Sequence, residues 1–143
     1  IIRAAWMVGG GPNKDKKFFN KIVQQLHKGA SEIFAVHDKK GNISYTYDIA
    51  ATIEYLLEKE VYGTFHHVCD GQASRFDIAK FIVANLPKSA NVAVRPVDSS
   101  FFQQSYFSSR LTSETLINTV LKNINPALTR DWETCLKDYI KFF

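Results

Sequence analysis

Apolar residues recur along this chain in two alternating rhythms. Short apolar runs bounded by glycine, asparagine or aspartate alternate with stretches where apolar residues return every three or four positions. The first rhythm predicts strands and the second amphipathic helices. Residues 1–8 predict a strand that runs straight into Gly9-Gly10-Gly11-Pro12. Phe18, Phe19, Ile22, Val23 and Leu26 then fall on one helical face, and Gly29 closes that helix. Residues 32–37 predict a strand, 38–42 a turn and 43–46 a short extended piece. Thr46 or Asp48 caps the next helix, whose inner face reads Ile49, Ile53, Leu56 and Leu57. Residues 63–69 predict a further strand, ended by Asp70-Gly71.

In the second half, Ser74 and Asp77 stand at capping-box spacing. The helix they open turns Phe76, Ala79, Ile82, Val83 and Leu86 inward and stops before Pro87. Residues 91–97 predict an edge strand, because Pro96 cannot donate to a ladder. Residues 98–112 read as irregular, with Phe101, Phe102, Tyr106 and Phe107 exposed. A short helix is expected from Ser113, carrying Leu116, Ile117, Val120 and Leu121. Thr129 is expected to cap the last helix, in which Trp132, Cys135, Leu136, Tyr139, Ile140 and Phe143 form one stripe. Strands alternating with helices predict α/β architecture. Repeats, low-complexity tracts and linkers are absent, so the 143 residues read as one continuous domain or part of one.

The opening run has a further implication. It begins in mid-strand without a methionine, and a strand needs neighbours to satisfy its backbone groups. The expectation is the later part of a larger α/β protein. Hydrophobic content of 45% and aromatic content of 13% exclude a disordered chain. The net charge of +4 is spread along the sequence, apart from the cluster Lys14, Lys16 and Lys17. That balance suits a small anionic ligand better than nucleic acid, which calls for a denser basic stripe. Cys69 and Cys135 read as reduced, buried thiols rather than a disulfide. With no apolar run near 18 residues and no signal peptide, a soluble, cytoplasmic protein with no membrane partner is expected.

Several residues could carry chemistry. The glycine run lacks G-x-G-x-x-G spacing, and Pro12 removes an N–H that a phosphate cradle needs. It reads better as a tight turn at a strand end. Lys14, Lys16, Lys17 and Lys21 surround a helix start that can favour an anion, or else form a solvated loop. Tyr55 and Lys59 have Y-x-x-x-K spacing, but without a nucleotide loop ahead of them they read as surface residues. His66, His67 and Cys69 alternate between two faces, which leaves too few ligands for zinc, so no metal site is expected. Trp6, near the C-terminal end of its strand, stands where α/β folds bind ligands, and an indole there can stack and donate one hydrogen bond. Taken alone, a core position explains it slightly better.

Taken in order, several stretches resemble the C-terminal half of dTDP-4-dehydrorhamnose reductases, which are extended short-chain dehydrogenases acting on nucleotide sugars. They are residues 3–12, 15–18, 45–50, 63–66, 95–97, 110–116 and Arg130-Asp131-Trp132. The resemblance implies the C-terminal part of an NAD(P)-binding Rossmann-like fold: the last sheet strands plus a substrate-binding α/β lobe over residues 1–143. The implied reaction is reduction of a 4-keto group on a nucleotide-linked deoxysugar by NADPH or NADH, with a tyrosine and a lysine supplying the proton. The family's cofactor loop and Y-x-x-x-K pair lie upstream of the stretches matched here. No catalytic or cofactor-binding residue is therefore assigned, and the fragment alone is expected to be inactive and to bind no cofactor. By position, Trp6, Lys17, Tyr45, Thr46 and Arg110 take the substrate-binding roles. Ile43 and Leu111 stand where relatives carry proline, leaving room for a different sugar. The implied partners are the nucleotide sugar, the missing N-terminal half and, through open sheet edges, a second copy of the chain. Alternatives are a nucleotide-sugar epimerase or dehydratase of the same fold, or a non-catalytic interaction module built on the aromatic stretch 101–107.

Overall fold

The computed structural model describes residues 1–87, 91–105 and 111–143. The chain runs β1 (Ile2–Arg3), β2 (Trp6–Val8), α1 (Gly11–Lys14), α2 (Phe18–His27), β3 (Glu32–Val36), β4 (Lys40–Gly41), β5 (Ile43–Tyr45) and α3 (Thr46–Glu58). It continues with β6 (Phe65–His66), β7 (Ala73–Ser74), α4 (Arg75–Asn85), β8 (Ala93–Val97), a 3₁₀ segment (Ser99–Ser105), β9 (Ser113–Glu114), α5 (Thr119–Ile124), a 3₁₀ turn (Pro126–Leu128) and α6 (Trp132–Ile140). Parallel pairs dominate: β1 with β6, β2 with β5, and β3 with β8. A small mixed sheet places β4 between antiparallel β7 and parallel β9. This is the α/β, Rossmann-like arrangement with helices laid on parallel strands.

The opening run is two strands, not one. β1 pairs with β6 and β2 with β5, so the chain changes neighbours at Ala4-Ala5. Ser44 makes the change possible. Its Oγ accepts the Ala5 N–H (3.0 Å) and donates to the His67 carbonyl (2.9 Å), pairing two backbone groups that the kink removes from the ladders.

Helix ends follow local chemistry where the partners are local. Gly29, at φ 81°, sits just past α2, and the Gly29 and Ala30 N–H groups close a Schellman motif on Leu26 and Gln25. Ser74 and Asp77 form the expected capping box of α4. Other ends depart from the pattern. α3 starts after Tyr45 without a side-chain cap, because Asp48 is turned to Arg130 instead. Asp131, not Thr129, caps α6 through the Thr134 N–H (2.9 Å). Ser113-Glu114 is a strand beside β4, and the helix begins only at Thr119. On α3 the buried residues are Thr52 and Leu56, whereas Ile53 and Leu57 face solvent.

The main core joins α2, α4 and α6 around the sheets, with Phe19, Ile22, Ile33, Ile43, Ile78, Ile82, Leu136 and Tyr139 at its centre. A smaller cluster of Leu56, Phe65 and Leu121 takes in Tyr55, so the tyrosine of the Y-x-x-x-K spacing is a packing residue. Cys69 and Cys135 are free and buried, their thiols in contact. Hydrogen bonding with Cys69, then burial, pushes the Cys135 thiol far up, and its S–H donates to Asp48 Oδ2 (3.2 Å). Among the described residues no helix is long and apolar enough to cross a membrane.

Candidate functional site

Trp6 occupies the middle of a small built cluster. It is the first residue of its strand, β2, rather than near the C-terminal end where the sequence puts it, because the opening run breaks into two strands at Ala4-Ala5; β2 runs beside β5, and the connection just ahead of β5 passes through Gly41 and Asn42. A Cβ on Gly41 would stand 2.6 Å from Cε2 and Cζ2 of the indole, so only glycine admits the ring at that spot. Gly41 pairs with Glu114 on β9, which brings that carboxylate to the indole edge. Nε1 of Trp6 donates to Glu114 Oε2 at 2.5 Å. On the other strand of the same sheet, Ser74 leads into Arg75, whose guanidinium carbon lies 3.9 Å from the Trp6 ring centroid and 5.0 Å from that of Phe18. Both separations are within cation–π range. Asn42 holds the frame: its side chain donates to the Gly71 carbonyl (2.6 Å) and accepts the Leu116 N–H (2.7 Å), while its carbonyl accepts the Trp6 N–H (3.0 Å).

Lys17 precedes Phe18, the second ring against Arg75, but its own bonds run elsewhere. It is the N-terminal boundary of α2, directly before Phe18, and its side chain is exposed. Its backbone N–H donates to Asp15 Oδ1 (2.8 Å). The other Asp15 oxygen accepts the hydroxyl of Tyr139 (2.8 Å), on α6. Asn20 adds a bond to the Pro12 carbonyl (2.9 Å). Burial, and then the bond to Asp15, raises the Tyr139 hydroxyl well above the ordinary tyrosine range, so it stays a donor. The lysine loop is thus bolted to the last helix by a buried carboxylate.

Tyr45 ends β5 and Thr46 opens α3. Tyr45 is 4% exposed and belongs to the main core, ringed by Tyr47 (5.4 Å) and Tyr139 (6.0 Å), with burial raising its hydroxyl. Thr46 packs its hydroxyl on Gly9, where a Cβ would come within 1.8 Å of Oγ1. This contact accounts for the first glycine of the run without any ligand. Arg110, and with it Tyr106 and Phe107, lies outside the described residues. Of the expected residues, Trp6 alone sits in the indole cluster; Lys17 is tied to Asp15 and, through it, to Tyr139, the ring that packs on Tyr45, and Thr46 packs on Gly9. The pattern of the sequence passes over Arg75, which reads only as part of a capping box, and Glu114, which reads as helical. The one local hint is Glu114's place in the 110–116 stretch.

The glycine turn does not suit a nucleotide cofactor. Gly9 is filled by Thr46, a Cβ on Gly10 would meet Lys14, and Pro12 opens a helix of four residues. These residues do not form a dinucleotide cradle. Among the described residues no group of three or more His, Cys, Asp or Glu could hold a metal ion. His66 and His67 are separate: His67 is buried and its Nε2 meets the Leu128 carbonyl at 3.2 Å.

A family model described as the RmlD substrate binding domain matches residues 1–143. The chain belongs to this family. It is similar to a curated dTDP-4-dehydrorhamnose reductase from Mycobacterium tuberculosis, 27% identical over 137 residues, covering 95% of this chain and 43% of that protein. Among solved structures, dTDP-4-dehydrorhamnose reductase from Yersinia enterocolitica is 35% identical with a TM-score of 0.88, matching 99% of this chain and 48% of that one. The enzyme of the same name from Bacillus anthracis, solved in complex with NADP, is 26% identical with a TM-score of 0.77, matching 98% of this chain and 46% of that one. This RmlD substrate binding domain thus spans about half the length, or less, of the relatives it matches, and those relatives are oxidoreductases of nucleotide sugars.

Proposed function

We propose that this domain grips the nucleotide sugar of an NAD(P)H-dependent reductase of a 4-keto deoxysugar nucleotide, of the dTDP-4-dehydrorhamnose reductase type. One observation carries the reading: an indole at the start of β2 held on three sides, by Gly41, Glu114 and Arg75. Indole and guanidinium together offer a stacking surface and positive charge, the pair of features a nucleotide-linked sugar needs. Trp6 meets the ligand, Lys17 and Arg110 face its anionic part, and Tyr45 and Thr46 support the wall from behind. Hydride transfer and proton donation fall to residues beyond these 143, so the domain alone neither oxidises NADPH nor binds it. The identity to reductases favours reduction over epimerisation or dehydration.

A second reading has its own support. Phe34 and Phe101, 44% and 58% exposed, stack at 5.5 Å on the outer face of β3. Such a patch suits a protein partner or a second copy. NMR titration with dTDP and dTDP-rhamnose separates the two. Shifts at Trp6 and at the Lys17 amide are expected; silence there together with a concentration-dependent dimer replaces the nucleotide-sugar reading with the interaction module.

A further inference from the structure

Glu114 is a half-buried carboxylate with one oxygen committed to the Trp6 indole and, among the described residues, no hydrogen-bond donor on the other. A carboxylate has about four acceptor positions, so the free oxygen can take further donors without giving up the indole. Its position is set twice over, by the β4–β9 register that places it across from Gly41 and by the bond to Nε1. The residue is therefore a fixed negative acceptor at the edge of the ring that the nucleotide sugar is proposed to meet. Arg75, on the ring and against Phe18, supplies positive charge on another side of the same indole. The cluster is thus electrically polarised around one aromatic ring.

We propose that Glu114 reads the sugar: it selects a hexose that presents a hydroxyl or amino donor beside the indole and rejects one that presents a carboxylate there. This inference rests on the nucleotide-sugar reading and adds the sugar's chemical class to it. A donor from the sugar makes a charge-assisted bond to the free oxygen, whereas a uronate would set two like charges side by side in a partly desolvated place. The nucleotide contributes nothing to this choice.

The test uses the full chain and three ligands: dTDP, dTDP-glucose and the C6-carboxylate counterpart of dTDP-glucose. Affinities are measured by calorimetry for the wild type and for Glu114→Gln, which keeps an acceptor for the indole but loses the charge, with Glu114→Ala as a second variant. The emission of Trp6 in a Trp132→Phe background reports that the indole keeps its setting in Glu114→Gln. Wild type should prefer dTDP-glucose to its carboxylate counterpart by about tenfold or more, the scale of one charged hydrogen bond. In Glu114→Gln that preference should collapse to within about twofold. An unchanged preference in both variants overturns the assignment of Glu114 and leaves nucleotide-sugar binding standing. Failure of all three ligands to bind the wild type overturns both.

Discussion

Arg130 gives the most exact quantitative test of how this domain is held together. Its guanidinium forms a fork on Asp48, Nη2 to Oδ1 at 2.7 Å and Nε to Oδ2 at 3.1 Å, and sends Nη1 to Asp138 Oδ2 at 2.7 Å. Side-chain exposure is 17% for Asp48, 34% for Arg130 and 39% for Asp138. The two halves should therefore differ in worth. Replacing Arg130 by Met keeps the stem and removes the charge. Asp138 still has Lys141 at 2.8 Å and access to water, so its half should cost no more than about 0.5 kcal/mol. Asp48 would keep only the Cys135 S–H, a weak donor. Stranding a fully buried charge costs about 3–5 kcal/mol; at this partial burial about 2–3 kcal/mol is expected. Urea unfolding of Arg130→Met, Asp48→Asn, Asp138→Asn and the two doubles gives the couplings. We expect about 1.5–2 kcal/mol between Arg130 and Asp48 and about 0.5 kcal/mol or less between Arg130 and Asp138. Raising salt from about 0.05 to 0.5 M should erase the second and spare most of the first. Equal couplings, or Arg130→Met within about 0.5 kcal/mol of wild type, would refute the reasoning.

Two further expectations concern single residues. Burial lowers the His67 imidazole below its ordinary 6.5, and its Nδ1 has no partner among the described residues. The unfolded chain then takes up this proton first as pH falls, so stability should drop below about pH 6.5 by up to about 1.4 kcal/mol per unit until the folded pKa is passed. Comparing wild type with His67→Gln between pH 7 and 5 should show a shallower slope in the variant; parallel slopes would count against it. Glu60 ends α3 in the left-handed region at φ 52°, with Glu60 and Val61 bonding back to Leu57 and Leu56. Glu60→Gly should relieve that backbone and raise stability by about 0.5–1 kcal/mol in thermal or urea unfolding, whereas a loss would show that the conformation is not strained.

Elements governed by near neighbours along the chain are legible in the residues themselves. The Gly29 cap needs Gln25 and Leu26, and the α4 box needs Ser74 and Asp77, all within about one turn of each other. Elements governed by distant partners are not. Asp48 is a sound N-cap candidate by type, but Arg130, 82 positions away, takes both of its oxygens. Ser113 resembles a helix start until β4 offers it a ladder. On α3, periodicity ranks Ile53 and Leu57 as inner beside Leu56; Leu56 is buried as expected, but the helix turns Thr52 inward and leaves Ile53 and Leu57 in solvent. The site divides the same way. The family resemblance points to Trp6 and to Arg130-Asp131-Trp132, but Glu114 lies 108 residues from the indole it binds. Two of the matched stretches, 45–50 and 130–132, prove to be the two halves of the Arg130–Asp48 lock, which explains their joint presence without any ligand.

The hydroxyl of Ser44 gives the molecule a corner that costs no turn residues. By standing in for the missing ladder bonds of Ala5 and His67, one side-chain oxygen lets a single run of chain serve two separate sheets. The same economy makes the run unforgiving in length. An inserted or deleted residue at the kink would leave the Ile2–Arg3 pairing in place and rotate Trp6 to the opposite face of its own sheet, away from Glu114. Along this opening run, then, spacing is held as firmly as the identity of Trp6.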